Sequence, residues 1–405
     1  MNNHSSIVNA TGLSGGAIYA EASQVVLMGS SITRSQAVEG GSICAELGSV
    51  VIIAGGSLIS NSRAEGDGGA VFLHGDATEV RLISSSIQGS AFHAGGAAFI
   101  ELRAALTVAD GSTIRDSHGE EGGAICLVTG ALTLTGASSI TDSKAEYEGA
   151  AIEASEQSNI LVANGSGIAR SEAKEGGAVA MKEGTIMRLV NQSFIANSIA
   201  TEKEGGAVYM QASSLVVANE SMIINSSAPG DGGLAGAVFL DGGSVTVASS
   251  SKIVNSHARL MAGAMQIVSG QVTITDGSAI INSSAFGCGG AFLVRRPPVG
   301  TQAGKLLIVN SSIIDSRATI GGGAMFIAAG RVDVSGGSHI LHSTVSGIVQ
   351  QGMSFQQQLM AQQFFQAFIM LGGLSPLDAF GGGCFNLIEG QLHITSSVVE
   401  DSRSP

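Results

Sequence analysis

A short motif of two small residues followed by Ala or another small residue and then an apolar one returns along this chain at a nearly constant interval. Counted at its second position it falls at Gly16, Gly41, Gly69, Gly96, Gly123, Ala150, Gly177, Gly206, Gly236, Gly263, Gly290, Gly323 and Gly383. The intervals run from 25 to 30 residues, apart from one of 33 and a last one of 60 that holds two repeats' worth of chain and an insertion. A period of this size constrains the fold more than any other feature. One such unit cannot bury its own apolar face, so successive units must stack and share a continuous core.

A second signature, Ser-x-(Ile or Val)-x-x-Ser, is stricter. Its centres are Ile32, Ile59, Ile87, Ile114, Ile140, Ile168, Ile195, Ile223, Ile253, Ile280, Ile313, Ile340 and Val399, and its trailing serines run from Ser35 to Ser402. Between the two signatures lies a segment that alternates apolar and polar residues, as in Val245-Thr-Val247, Val272-Thr-Ile274, Val332-Asp-Val334 and Leu392-His-Ile394. Alternation with period two is a strand pattern. Each repeat therefore reads as three short strands. The first follows the glycines, the second is the alternating segment, and the third carries the serine signature.

Composition removes the competing repeat folds. Helical repeats need apolar residues at i, i+3 and i+4 over ten or more positions. The coils lack that pattern, and 58 Gly with abundant Ser oppose it. Only 13% charged residues against 44% apolar ones exclude a disordered chain. Propeller blades are longer than this period, and the Leu-x-x-Leu-x-Leu spacing of leucine-rich repeats is missing. The expected fold is all-β: a right-handed, single-stranded parallel β-helix of about 13 coils of roughly 27 residues, each strand pairing with its equivalent in the next coil. Residues 1–345 and 381–405 belong to these coils as one domain. Residues 346–380 interrupt them, and the uncharged stretch from Gln350 to Leu371, rich in Gln, Phe and Met, reads as an inserted helix laid against the coils.

The positions two and four after the glycine landmark are expected to point inward. They include Ile18/Ala20, Ile43/Ala45, Val71/Leu73, Ile125/Leu127, Val208/Met210, Val238/Leu240 and Met325/Ile327. The serines near the bends are expected to hydrogen-bond the turning backbone or each other. Cys44 and Cys126 occupy equivalent positions three coils apart, roughly 14 Å at the strand spacing, beyond the reach of a disulfide. The four cysteines are therefore expected to be free thiols acting as small apolar groups.

Two outward rows are the candidate sites. Two residues before the landmark stand Glu39, Asp67, Glu121, Glu148, Glu175 and Glu204. Stacking would bring neighbours to about 5 Å, where like charges oppose one another. A Ca2+ ion held between coils by Glu121, Glu148, Glu175 and Glu204 would offset this. The more economical reading is a solvated acidic turn compensated by Lys174 and Lys203. Three residues after the landmark stand Tyr19, Phe72, Phe99, Tyr209, Phe239 and Phe326. Alternation points them outward, where an exposed aromatic row could stack on sugars or meet a protein. Covering loops, or the rings packing on one another, are the equally weighted alternative.

The net charge of −13, with Arg295-Arg296 the only basic pair, opposes nucleic acid as a partner. No apolar stretch reaches the length of a membrane span, no signal peptide follows Met1, and both termini fall mid-repeat, so the chain is expected to be part of a longer one. A polysaccharide lyase or hydrolase would need convergent carboxylates with a catalytic Arg, Lys or His. The nearest grouping, His339 and His342 with Asp333, is expected to be exposed and non-catalytic, and no catalytic residue or other cofactor is assigned.

The repeat resembles that of the polymorphic outer membrane proteins, bacterial surface adhesins whose β-helical passenger carries Gly-Gly-Ala-Ile and Phe-x-x-Asn tetrapeptides. Gly15–Ile18 and Gly122–Ile125 match the first, and Phe194–Asn197 matches the second. Elsewhere the Phe slot varies (Leu58, Met222, Lys252, Ala279), while Asn61, Asn225, Asn255 and Asn282 keep the Asn. The architecture is also similar to the pectin lyase-like superfamily. The resemblance implies a β-helical, adhesin-like module at a cell surface or outside the cell, with a protein or glycan ligand. The function expected is non-catalytic binding or surface structure. A polysaccharide-cleaving enzyme, or a membrane-associated protein using residues 350–371, are the alternatives.

Overall fold

A computed structural model describes residues 4–91, 93–346, 384–400 and 402–403. The expected helix at 350–371 and most of the insertion at 346–380 lie outside the described residues. The chain divides into two compact units, Met1–Ile199 and Ala200–Pro405. Each is a parallel β-solenoid, and together they hold about 13 coils.

In the first unit the three expected strands recur coil after coil. One coil, for example, contains Ile125–Val128, Ala131–Leu134 and Ser139–Thr141. All pairings are parallel, and the register keeps equivalent residues opposite one another. Ile7, Ile32, Ile59, Ile87, Ile114, Ile140, Ile168 and Ile195 form one unbroken file. From Ile32 onward every member is fully buried. The second unit repeats the device with Ile223, Ile253, Ile280, Ile313, Ile340 and Val399. Stacking like on like takes the same apolar surface out of water in each coil. A buried aliphatic side chain contributes roughly 1.5–3 kcal/mol this way. The inward pairs after the glycines are also in register, as in Ile18–Ile43–Val71–Ala98–Ile125–Ile152–Val179.

A fourth strand position was not foreseen. Short segments such as Arg63–Ala64, Lys144–Glu148 and Glu172–Ala173 follow the trailing serine and pair into a further ladder. Their apolar content is one small residue. Ala37, Ala64, Ala145 and Ala173 in the first unit, and Ala228, Ala258, Ala285 and Ala318 in the second, are all buried two positions after a trailing serine. That Ser-x-Ala spacing is visible in the sequence and would have located the strand. The second unit differs in another respect. In three of its coils the first two strands merge, as Val208–Ala218, Val238–Val247 and Met265–Ile274.

The recurring Asn has a backbone cause. The position two after the central Ile is left-handed in coil after coil, including Asn61 (φ 54°), Asn197 (55°), Asn225 (53°), Asn255 (56°) and Asn282 (53°), with Asp116, Asp142 and Asp315 taking the same role. Asn and Asp tolerate this conformation best among residues with a side chain. In the second unit the amides also join into a ladder. Asn282 Nδ2 donates to Asn255 Oδ1 at 2.7 Å, and Asn255 Nδ2 donates to Asn225 Oδ1 at 2.9 Å.

The two serines of the signature do different work. From Ser57 to Ser166 each leading serine accepts a hydrogen bond from the backbone N–H of its counterpart one coil earlier, Ser57 from Ser30 and Ser85 from Ser57 at 3.1 Å, then on through Ser112, Ser138 and Ser166. Its own hydroxyl donates to the turn, as Ser57 Oγ does to the Ala54 carbonyl at 2.7 Å. The trailing serines depart from expectation. Apart from Ser62, which pairs with Ser42 at 2.6 Å, they are mostly buried hydroxyls without a partner: Ser35, Ser90, Ser171, Ser198, Ser226, Ser256, Ser283 and Ser316. Serine is small enough for the tight corner beside the glycines, where burial leaves these hydroxyls unbonded.

Candidate functional site

The outward position three after the landmark forms a continuous column in the first unit: Tyr19, Cys44, Phe72, Phe99, Cys126, Glu153 and Ala180. Alternation does turn these side chains away from the interior file. It does not leave most of them in water, and of the two readings of the aromatic row the covered, self-packed one describes Phe72 and Phe99. Phe72 and Phe99 are buried, stacked with ring centroids 5.6 Å apart, and enclosed with Cys44, Ala94 and Cys126 in a small apolar cluster. Of the first unit's aromatic candidates, Tyr19 alone is exposed, at 49%. Its hydroxyl donates to Glu46 at 3.2 Å.

In the second unit the same column reads Tyr209, Phe239, Gln266, Leu293, Phe326 and Asn386. Tyr209 and Phe239 stack at 5.3 Å. Phe239 and Phe326 are buried, the latter against Leu260, Met261, Cys288 and Ile320. The physical reason is common to both units. The segment that leads into the glycines folds against the outer face of the first strand and roofs it with small and apolar residues such as Ala94 in one unit and Leu260 and Met261 in the other. A sequence pattern of period two records which side of a strand a residue takes, and nothing about what covers that side.

The thiols follow from this placement. Cys44, Cys126, Cys288 and Cys384 are free and buried. Burial, reinforced by Glu46, pushes the Cys44 thiol up to about 12. Burial and then Glu153 push Cys126 far above the thiol range. Neither is a nucleophile at neutral pH, because the thiolate is the reactive form.

The acidic row is stacked as expected through Glu121, Glu148 and Glu175, which pair coil to coil in the first unit. Among the described residues, no three His, Cys, Asp or Glu side chains converge to hold a metal ion. The compensating charge comes from a residue that the sequence reading did not single out. Lys182 Nζ lies 2.7 Å from Glu148 Oε2. Lys174, expected in that role, sits 4.9 Å over the Tyr147 ring. Glu204 lies in the second unit, where its backbone pairs with that of Leu234.

Sequence reasoning also missed Glu153. It is a carboxyl only 5% exposed, in the outer column, and Cys126 Sγ donates to its Oε2 at 3.2 Å. Burial raises it from the usual carboxylate range to about 7, with the Cys126 thiol and Lys182 working the other way. The signal was present: Glu153 stands where the neighbouring coils carry Cys126 and Ala180.

The remaining candidates are held apart. Asp333 is engaged by Arg331 in a two-pronged ion pair at 2.6 and 2.9 Å, which lowers its pKa. His342 faces Asp315 at 3.4 Å, on a different column. Arg296 is paired with Glu389. The first unit also has an open groove of about 560 Å3 over the fourth ladder, lined by Thr11, Leu13, Gln36, Val38, Arg63 and Glu65 among others. Leu13 and Val38 stand exposed on its wall at 81% and 42%. No helix among the described residues is long and apolar enough to cross a membrane. No family model, no curated protein and no solved structure matches this chain.

Proposed function

We propose that the chain is a non-catalytic β-solenoid module that binds a protein or glycan ligand, or builds surface structure, in the manner of an adhesin repeat. One observation carries this reading. Among the described residues, the chemistry-bearing side chains on the surface pair along the stack or with their own coil, Tyr19 with Glu46, Asp333 with Arg331 and His342 with Asp315, and the one group that gathers, Cys126, Lys182, Glu121 and Glu148 about Glu153, is centred on a buried carboxyl that a polysaccharide does not reach. A polysaccharide-cleaving site needs carboxylates and a base converging on one bond. The Gly-Gly-Ala-Ile and Phe-x-x-Asn tetrapeptides support the adhesin-like reading.

The ligand contact moves from the aromatic row, which is roofed apart from Tyr19, to the groove of the first unit. Exposed Leu13 and Val38 there flank the polar edge of Thr11, Gln36 and Arg63, a mixture suited to a binding surface. The deciding experiment is a glycan array and a protein-ligand screen on the full chain, followed by product analysis of every bound polysaccharide. Retained ligand without cleavage, weakened at least tenfold by Leu13→Asp with Val38→Asp, is the expected result. A cleavage product overturns the reading.

A further inference from the structure

We propose that residues 118–182 of the first unit form a proton-sensitive joint in the solenoid, tight while Glu153 carries a proton and loosened when it is lost. The geometry has two parts. Glu153 is buried in the outer column between Cys126 and Ala180, and a single thiol is its hydrogen-bond donor. A buried carboxylate is stable as an anion when two or three strong donors or an opposite charge hold it. A thiol is a weak donor. The nearest cation, Lys182, is spent on Glu148.

The second part is the column beside it. Glu121, Glu148 and Glu175 pair coil to coil there, a row of acids beside the buried carboxyl. The groups facing Glu153 are Cys126 from the coil before, Lys182 from the coil after, and Glu121 and Glu148 from the turn-side strands. Lys182 is the one cation among them. Burial works to lower its pKa, but Glu148, then Glu153 and Glu121, outweigh that and hold it charged. Removing the proton from Glu153 places a buried charge beside a face that also encloses Phe72, Phe99 and Cys126.

The direction follows from linkage. A carboxyl that binds its proton more tightly in the folded state than in the unfolded one contributes nothing adverse at low pH. It takes stability away as pH rises from its ordinary value of 4.5 to about 7, and the loss then persists. Asp67, also raised by burial, acts in the same sense. Asp142, lowered by its Arg170 partner, acts in the opposite sense, but below the ordinary carboxylate value and so outside this window.

Hydrogen–deuterium exchange on the full chain at pH 5.5, 7.0 and 8.0, corrected for intrinsic exchange, tests the joint. Peptides from 118–182 are expected to open at least ~10-fold more readily at pH 8.0 than at 5.5, with a ceiling of about 30-fold, because part of the loss between 4.5 and about 7 has already occurred by pH 5.5. Peptides from 305–328 are expected to change little. Glu153→Gln keeps the size and the hydrogen-bonding capacity, and is expected to abolish the pH dependence, with protection at pH 5.5 at or above that of the native chain. Cys126→Ser supplies a better donor to Glu153 and is expected to shrink the effect. An exposed control on the same unit, Glu172→Gln, leaves it unchanged. A native chain whose 118–182 peptides are flat across this range, or a Glu153→Gln or Cys126→Ser chain with the full native pH dependence, overturns the proposal.

Discussion

The first unit carries two columns built by the same rule, and they have opposite character. The interior file is isoleucine at every level from Ile7 to Ile195. The outer column changes at nearly every level, from Tyr19 through Cys44, Phe72, Phe99 and Cys126 to Glu153 and Ala180. Both are largely buried. The difference lies in what encloses them. The interior file is closed by the solenoid's own repeated strands, so each level meets the same environment and the same residue answers it. The outer column is closed by turn segments that vary between coils, so each level has a different roof and a different residue under it.

The largest effect should come from breaking the uniform column. Ile114 is fully buried and stacks on Ile87 and Ile140. Ile114→Ala leaves a cavity that neighbouring levels cannot collapse into without losing their own register. It should cost about 2–5 kcal/mol, read as a fall in the urea midpoint of the first unit. A cost below about 1 kcal/mol would mean that the interior file tolerates gaps as the outer column does, and the contrast between them would fail.

The serines sharpen the same contrast within one motif. Ser57 accepts from the Ser30 N–H and donates to the Ala54 carbonyl, so Ser57→Ala strands a buried donor and should cost about 1–2 kcal/mol. Ser171 is equally buried, but its hydroxyl has no partner. Ser171→Ala exchanges an unsatisfied group for a methyl in the same space and should be neutral or stabilising, within about 0.5 kcal/mol of zero. Paired denaturation curves for the two variants check this. Equal losses would show that the trailing hydroxyl is bonded after all and that the corner selects for chemistry as well as for size.

How much could be read in advance follows the same division. Parallel pairing, the coil length, the isoleucine file and the separation of Cys44 from Cys126 were all legible, because each depends on periodicity, and periodicity survives in sequence. Whether Phe72 and Phe99 were exposed or covered stayed open in the sequence because alternation assigns a side and not a cover. The fourth ladder was overlooked because its buried residue is alanine, too small to register as an apolar strand, although its spacing from the trailing serine is regular. Glu153 and Lys182 were overlooked for the opposite reason. Each occurs once, and a reading built on repeats is blind to a residue that breaks them. Where a column is uniform the sequence describes the fold, and where it is irregular it holds whatever is individual to this chain.

A smaller loss than that at Ile114 belongs to the irregular column itself. Phe99 stacks on Phe72 with ring planes 3° apart, and its neighbour on the other side is Cys126. Phe99→Leu keeps an apolar side chain under the same roof and removes the ring pair. The pair alone is worth about 0.5–1.5 kcal/mol, and the volume lost is small, so a shift of about 1 kcal/mol in the same urea transition is expected. That is well under the loss at Ile114, although Phe is the larger residue and both positions are buried. The comparison turns on this inequality. If Phe99→Leu cost as much as Ile114→Ala, the outer cluster would be a second core as unforgiving as the first. Its variability along the column would then reflect a distinct demand at each level, not a looser one.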